Sequence, residues 1–438
     1  MKKQIPSKMI PINRVQLGID RNIRNCSHLP TAASSNKLLD ELSELLAAGI
    51  WEGENTDLTE ASLIVEETKH LAEGLKSGYG TFVAYNTPDV LAYQLMEYNL
   101  FEFSASKTEA RLAAMTDLLI DKKKQQIRSF SEFKELAMKE VKSFNADWLL
   151  TEYNLSIAVG QSSAAYHRFK AEEDTVTQYV QYQTVGDTKV RDQHALLNGK
   201  VFSLKDKEAM QLWPPNGYGC RCEMIQFIHD PEEVMSGAEG KRLFSNSDMT
   251  WKDSQFAINR GDLKEVFTTK QFYSKRGIDG KFSDLTYDKH KLPSWNKFKS
   301  DLNPLKLDDT ITADNVSELF KPSGKIGKED FMGFDDYFGR KLILNRKTFD
   351  IHTKGKYLKE NRHKYFPHVK DILENPDEVW LINESDNKFQ TLRYVKFYKD
   401  KTLVVTNRVS KNHVEIKTWY EMKDEKKTRT GLLINKKS

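Results

Sequence analysis

The stretch from Tyr182 to Cys222 constrains this chain more than any other. It reads YQTVGDTKVRDQHALLNGKVF, then a spacer, then WPPNGYGCRC. Asp187, Arg191 and His194 crowd one side of the spacer; Trp213, Pro214, Pro215, Asn216, Gly217, Cys220, Arg221 and Cys222 crowd the other. Apolar residues are too sparse here for a long buried helix, and turns are frequent, so a small α+β module is expected. A Cys-x-Cys pair is poor disulfide geometry, because neighbouring Cβ atoms rarely reach the required separation. It can instead clip a metal, with Asp187 or His194 adding an oxygen or nitrogen ligand. The plainer alternative is a buried, hydrogen-bonded turn in which the cysteines serve as small hydrophobes; the familiar Cys-x-x-Cys spacing is absent. The two prolines stiffen the entry to a turn for which Gly217 or Gly219 supplies positive φ. Arg191 and His194, three apart, share a face if that segment is helical.

The flanking sequence is different in kind. At 438 residues the chain has length for about three domains. Residues 1–35 read as irregular. Leu38, Leu39, Leu42, Leu45 and Leu46 make an apolar stripe with Gly49 as its stop. Helices are expected over Thr59–Leu75, Asp89–Phe101, Ser106–Ile120, Ser131–Phe144 and Asn145–Phe169. Charged residues make up 30% of the chain, and no run approaches the roughly 18 apolar residues of a membrane span. The N-terminus has no apolar core of a secretory signal. Three cysteines, with Cys26 isolated, argue against a disulfide framework and fit a reducing cytoplasm. Glu232–Asp301 reads as a polar connector wrapping the module, and Leu302–Asp330 as a linker punctuated by Pro, Gly and Ser.

The last part forms its own unit. Residues 331–438 hold 24 Lys and Arg against 15 Asp and Glu, while the whole chain carries only +4. That asymmetry points to an anionic partner, or to a solvated lysine-rich surface. A helical segment, KYLKENRHKYFPHVKDILENP, precedes four strand signals: EVWLIN, TLRYVKFY, TLVVTNRV and HVEIKTWYEM. One main helix on a four-stranded antiparallel sheet is expected. The unit carries His352, His363, His368 and His413 of the ten histidines. Histidine serves as acid and base near neutral pH, and Arg holds phosphate bidentately. A basic sheet with such residues suits metal-free RNA cleavage; it equally suits an interaction domain whose histidines are fillers.

Two resemblances sharpen this. Tyr182, Thr184, Asp187, Val190, Arg191, His194, Leu197, Gly199, Pro214 to Gly217, Cys220, Arg221 and Cys222 stand in an order that closely resembles the signature of minor head, or head morphogenesis, proteins of tailed phages, the phage Mu F-like family. The resemblance implies a capsid protein near the portal, with portal and capsid subunits as partners and DNA association in some members. It places the protein in the virion, inside the head, and in the host bacterial cytoplasm, with no membrane partner. Further on, Asn375-Pro376-Asp377-Glu378-Val379-Trp380, Arg393-Tyr394-Val395, Ile416-Lys417-Thr418 and Arg429-Thr430-Gly431-Leu432-Leu433 resemble phage-encoded nuclease domains of the barnase–EndoU–colicin–RelE type. Such domains are often fused to the end of minor head proteins, and host RNA becomes a candidate substrate.

The expected organisation is therefore a multidomain α+β protein: a helical head-protein region over 1–170, the signature module over 171–230, connector and linker over 231–330, and a nuclease-like basic domain over 331–438. The resemblance implies His363 or His352 as acid and base, Arg362 and Arg393 on phosphate, and Thr418 and Tyr420 facing the scissile bond. Strand alternation puts Thr418 and Tyr420 on one face together with Ile416, and brings Arg393 near Thr418 if their strands are adjacent. The candidate metal ligands are Asp187, His194, Cys220 and Cys222, with zinc as the candidate ion; the RNA cleavage itself needs no cofactor.

Overall fold

In this computed structural model the described residues are 33–80, 87–247, 251–271, 273, 282, 284–383, 390–409 and 414–437; Cys26 and His413 lie outside them. Five long helices make the body: α1 (Ala33–Glu52), α2 (Asp57–Tyr79), α3 (Pro88–Asp117), α4 (Phe130–Lys142) and α5 (Leu149–Ala171). The two helices expected over 89–101 and 106–120 are one. No Gly or Pro interrupts residues 102–105, and Phe103, Ser104 and Ala105 are buried within α3. Likewise α1 runs through Gly49. A short hairpin, β1 (Ile120–Asp121) and β2 (Gln126–Ile127), leads into α4, whose N-terminus is capped by Ser129 Oγ accepting from the Glu132 amide. A π-helical turn, Ser143–Trp148, joins α4 to α5.

Helices α2 and α5 touch backbone to backbone. A Cβ placed on Gly160 would stand 2.5 Å from the Leu75 carbonyl oxygen, and one on Gly78 would strike the Ile157 carbonyl. Beside this crossing lies an ion network with no solvent exposure at Lys107, Arg111 or Glu67. Lys107 bridges Glu67 and Glu152, the latter at 2.5 Å, and Arg111 reaches Glu67 at 3.2 Å and the Asn145 Oδ1 at 3.1 Å. Such a set is stable only when complete: removing one member strands a buried charge at a cost of about 3–5 kcal/mol.

The module follows as a three-stranded antiparallel sheet, β3 (Tyr179–Gln183) between β4 (Val201–Ser203) and β5 (Glu223–Gln226), with a single-turn helix α6 (Asp192–Ala195). Its Tyr182, Phe202, Leu212 and Trp213 continue the core of the helical body. The first part of the connector, with α7 (Gly237–Ser247) and α8 (Arg260–Leu263), adds Phe244, Trp251, Val266 and Phe267 to the same core.

The C-terminal sheet has eight strands rather than four. Strands β6 (Gly324–Ile326), β7 (Glu329–Asp335) and β8 (Lys341–Asn345) precede three short helices: α9 (Arg346–Thr353), α10 (Arg362–Tyr365) and α11 (Val369–Glu374). Then come β9 (Glu378–Asn383), β10 (Gln390–Phe397), β11 (Thr402–Val409), β12 (Val414–Glu421), a turn of helix α12 (Glu425–Thr428) and β13 (Leu432–Lys436). The order is β13-β9-β10-β11-β12-β8-β7-β6, antiparallel except for β12–β8. The expected meander is thus the centre of a larger sheet. The β6–β7 hairpin was hidden by charge and glycine; Gly327, at φ 61°, makes its turn. The expected single helix is broken where Asn361 adopts a left-handed φ of 55° and where Pro367 intervenes.

The expected linker is a wrapping. Leu305, Ile311, Val316 and Phe320 are buried against one face of the sheet, with Leu381, Leu392, Tyr394 and Trp419. Tyr287, Leu292, Trp295, Phe298 and Leu302 pack on the other face, against Trp380, Val395, Phe397 and Val404. Ala61, Ile64 and Val65 of α2 and Tyr98, Phe101 and Ala105 of α3 complete the first face, so body and sheet share a core.

Candidate functional site

Two places gather chemistry-bearing side chains. In the module, α6 carries His194 inward and the Pro-Pro-Asn-Gly turn carries the cysteines back to it. His194 Nδ1 lies 3.2 Å from Cys222 Sγ and 3.6 Å from Cys220 Sγ, and the three ligand atoms lie within 4.8 Å of one another. Both cysteines are free thiols, Cys222 buried and Cys220 partly so. This His/Cys/Cys group can hold a metal ion. Hydrogen bonding with Cys222, and His194 beside it, hold the Cys220 thiol well below its ordinary range against the opposing effect of burial. Tyr182 supplies a hydroxyl that sequence reasoning left as a motif position. It lies 3.5 Å from His194 Nδ1 and accepts from Asn216 Nδ2 at 3.2 Å. Asn216 also donates to the Leu212 carbonyl at 2.8 Å, which locks the turn.

Asp187 is elsewhere. Its carboxylate takes both Arg221 Nη atoms at 2.6 Å on the exposed side of the turn, a bidentate pair that holds Asp187 below its ordinary pKa. The signature acid and arginine thus clamp the two halves of the motif, and the ligand cluster contains three of the four expected residues. Arg191 does the same from the other side, donating to the Tyr218 carbonyl at 2.6 Å.

The second place is the edge of β12. Strand β8 pairs with it at Glu415↔Ile343 alone, so beyond that point the α9–α10 segment lies against the strand. A bulge here changes the faces. Thr406 opposes Thr418 and Asn407 opposes Ile416, which leaves Lys417 as the extra residue. Ile416 therefore turns into the core with Trp419, while Thr418 and Tyr420 face the other way; the expected grouping of all three fails at the bulge. The bulged Lys417 carbonyl accepts from His352 Nε2 at 3.0 Å. Arg362 Nη1 donates to His352 Nδ1 at 2.9 Å and to Thr418 Oγ1 at 2.6 Å. Its Nε donates to Glu360 at 2.8 Å, and its guanidinium stands 4.0 Å from the Tyr357 ring centre and 5.9 Å from that of Tyr420. Trp419 Nε1 fixes the Arg362 carbonyl at 2.8 Å. Burial, and then the Arg362 charge, push His352 down to about 4, so its ring is neutral at pH 7.

His352, Arg362, Thr418 and Tyr420 are therefore together, and Tyr357 and Glu360 join them. Both partners were invisible in sequence because a 3₁₀ turn, not a regular helix, brings them round. His363 and Arg393 stand apart. His363 is buried, with its Nδ1 finding no hydrogen-bond partner among the described residues. Arg393 donates to the Lys427 and Thr428 carbonyls. Strand β11 separates it from Thr418, two strand spacings or about 10 Å away on the same face.

Two of the four short runs behind the nuclease resemblance, Asn375–Trp380 and Arg429–Leu433, meet inside the fold. Arg429 binds the Glu378 carboxylate through Nε at 2.7 Å and through Nη2, and Trp380 Nε1 donates to the same carboxylate at 2.9 Å. Arg429 also holds the wrapping connector through the Pro293 carbonyl at 2.9 Å. These motif residues build the sheet edge.

Comparison with known proteins agrees with both halves. Residues 121–225 match the family of Phage Mu protein F like proteins, and residues 318–436 match phage-Barnase-EndoU-ColicinE5/D-RelE like nuclease2. The Mu-like prophage FluMu F protein of Haemophilus influenzae is 27% identical over 110 residues, 24% of this chain and 26% of that protein. Protein F of Escherichia phage Mu, named for capsid assembly, is 31% identical over 86 residues, 20% of this chain and 19% of its own. The chain thus spans about a quarter or less of the length of these curated relatives. No solved structure matches. This chain thus joins a segment similar to phage Mu F-like proteins, over residues 121–225, to a C-terminal domain similar to the barnase–EndoU–colicin–RelE nucleases, over residues 318–436.

Proposed function

We propose that this is a minor capsid protein of a phage or prophage, placed near the portal, whose C-terminal domain cuts RNA without a metal. The observation that carries the second part is the Arg362 fork, held between His352, Thr418 and Glu360 where the α9–α10 segment lies against β12 beyond its pair with β8. Glu360 occupies the side of the guanidinium that a phosphate takes bidentately. A phosphodiester displacing it would draw Arg362 Nη1 away from His352 Nδ1. That frees a neutral imidazole nitrogen to accept the ribose 2′-OH proton. The 2′ oxygen then bonds to phosphorus, the bond from phosphorus to the 5′ oxygen breaks, and the leaving 5′ oxygen takes the proton of the Tyr420 hydroxyl. Arg362 offsets the charge of the phosphorane, with the Thr418 and Tyr420 hydroxyls at the scissile bond. The basic surplus of residues 331–438 favours approach of the polyanion. At the thiol cluster the donor set favours zinc, which thiolate and imidazole ligands select. Portal and capsid subunits, phage DNA and host RNA are the partners of this reading, in the virion and then in the host cytoplasm. Among the described residues no helix is long and apolar enough to cross a membrane.

A second reading keeps the head role but gives the last domain only binding, to nucleic acid or to a capsid partner. It draws on both ring nitrogens of His352 being engaged. One assay separates them: the full chain with labelled RNA in excess chelator. Cleavage is expected, lowered about 100-fold or more by Arg362→Ala and kept or raised by Glu360→Gln. Folded wild type that binds tRNA, rRNA and mRNA without cutting any of them supports the second reading.

A further inference from the structure

The thiol cluster is three-sided. Tetrahedral zinc with bonds of about 2.0–2.3 Å puts nitrogen and sulfur ligands about 3.5 Å apart, and His194 Nδ1 stands 3.2 and 3.6 Å from the two sulfurs. The geometry is thus set for one ion, with three ligand atoms rather than four. Asp187 cannot close the set, being paired with Arg221 on the surface. Asn216 uses its Nδ2 on Tyr182 and the Leu212 carbonyl, and Tyr182 is the other polar neighbour. Its hydroxyl already accepts from Asn216 and hydrogen-bonds to Cys222, the position of a supporting donor to a metal thiolate rather than of a ligand. Cys220 and Cys222 also line a cavity of about 250 Å³, together with Trp213, Pro215, Arg168 and Glu223. It has room for water, which needs about 10–15 Å³ of such volume per molecule.

We propose that a metal ion held by His194, Cys220 and Cys222 keeps its fourth coordination position open to this cavity. The position takes water and exchanges it for a small anion entering past Arg168. This rests on the zinc reading above. It changes what the module is: three protein ligands and an exchangeable fourth is the pattern of a reactive or ligand-accepting metal site, whereas a structural site is closed by four.

The test uses the full chain, purified and reloaded with Co²⁺ as a spectroscopic stand-in, with azide as the probe. Bound cobalt should show the intense visible bands of a four-coordinate thiolate site. Azide should shift those bands saturably; Tyr182→Phe, which removes a supporting donor, should hold cobalt about 10-fold more weakly, and the cobalt it binds should still answer azide. If cobalt binds but its spectrum ignores azide, while Tyr182→Phe alters it, then Tyr182 closes the site and the open position is wrong although the metal stands. If the folded wild type retains neither zinc nor cobalt, the metal reading itself falls.

Discussion

His352 is neutral in the fold at pH 7, yet an unfolded histidine protonates below about 6.5. Between about pH 6.5 and about 4 the unfolded chain therefore binds a proton that the folded chain refuses, so this residue's contribution to stability falls as pH falls. His352→Gln should flatten that slope. In denaturant melts at pH 7 and pH 4.5, wild type should lose about 1–2 kcal/mol more than the variant, the solvent-screened share of the shift. Equal acid losses would mean that the ring is not held neutral by burial and Arg362. The same residue shows what sequence reading can reach. Histidine, arginine and threonine were nameable from their types, but which histidine meets Arg362 depended on the Lys417 bulge and the left-handed Asn361. Neither has a signal a single sequence displays.

Among the elements, the α2–α5 crossing is a close fit on both sides. Alanine at position 160 gains up to about 1 kcal/mol of helix propensity. Its methyl, however, would meet the Leu75 carbonyl oxygen at 2.5 Å and the Tyr79 amide at 3.0 Å. Backbone atoms cannot step aside as a side chain can, so the helices must separate along their length. Gly160→Ala should therefore destabilise by about 2 kcal/mol or more, read as a lower midpoint in thermal or urea unfolding. A variant as stable as wild type would show that the helices do not approach so closely. The helices themselves were readable from apolar spacing. Their fusion into α3 was not, because a short stretch such as Glu102-Phe103-Ser104-Ala105, with no breaker, leaves the choice to burial.

At the scale of the whole molecule, the C-terminal sheet does not stand alone. Arg340 is buried between Asp336 at 2.7 Å and Glu97 of α3 at 3.5 Å, and Gln94 donates to the Lys341 carbonyl at 2.6 Å. Both faces of the sheet are covered by residues 284–320 and by α2 and α3. A fragment of residues 331–438 should thus lack a cooperative thermal transition, while the full chain shows one. In the full chain, Arg340→Ala should cost about 3–5 kcal/mol by stranding two carboxylates. A fragment that melts cooperatively at the full chain's midpoint would make the sheet an independent unit. The sequence boundary at 331 was drawn where composition changed, but Leu305, Ile311, Val316 and Phe320 lie before it and are core.

Local chemistry was decided by the sequence: the cysteine pair that cannot bridge itself, the prolines and glycines of the turn, the apolar stripes of the helices, and the alternating strands of the meander. These depend on neighbours a few residues apart. Only the tertiary structure decided which groups meet. It took Asp187 out of the thiol cluster to pair with Arg221 and placed Tyr182 beside His194. It set Glu360 and Tyr357 around Arg362, left Arg393 and His363 aside, and turned a linker into the cover of a sheet. Such meetings depend on one bulge, one left-handed residue and one shared core, whose free energies arise between segments distant in the chain.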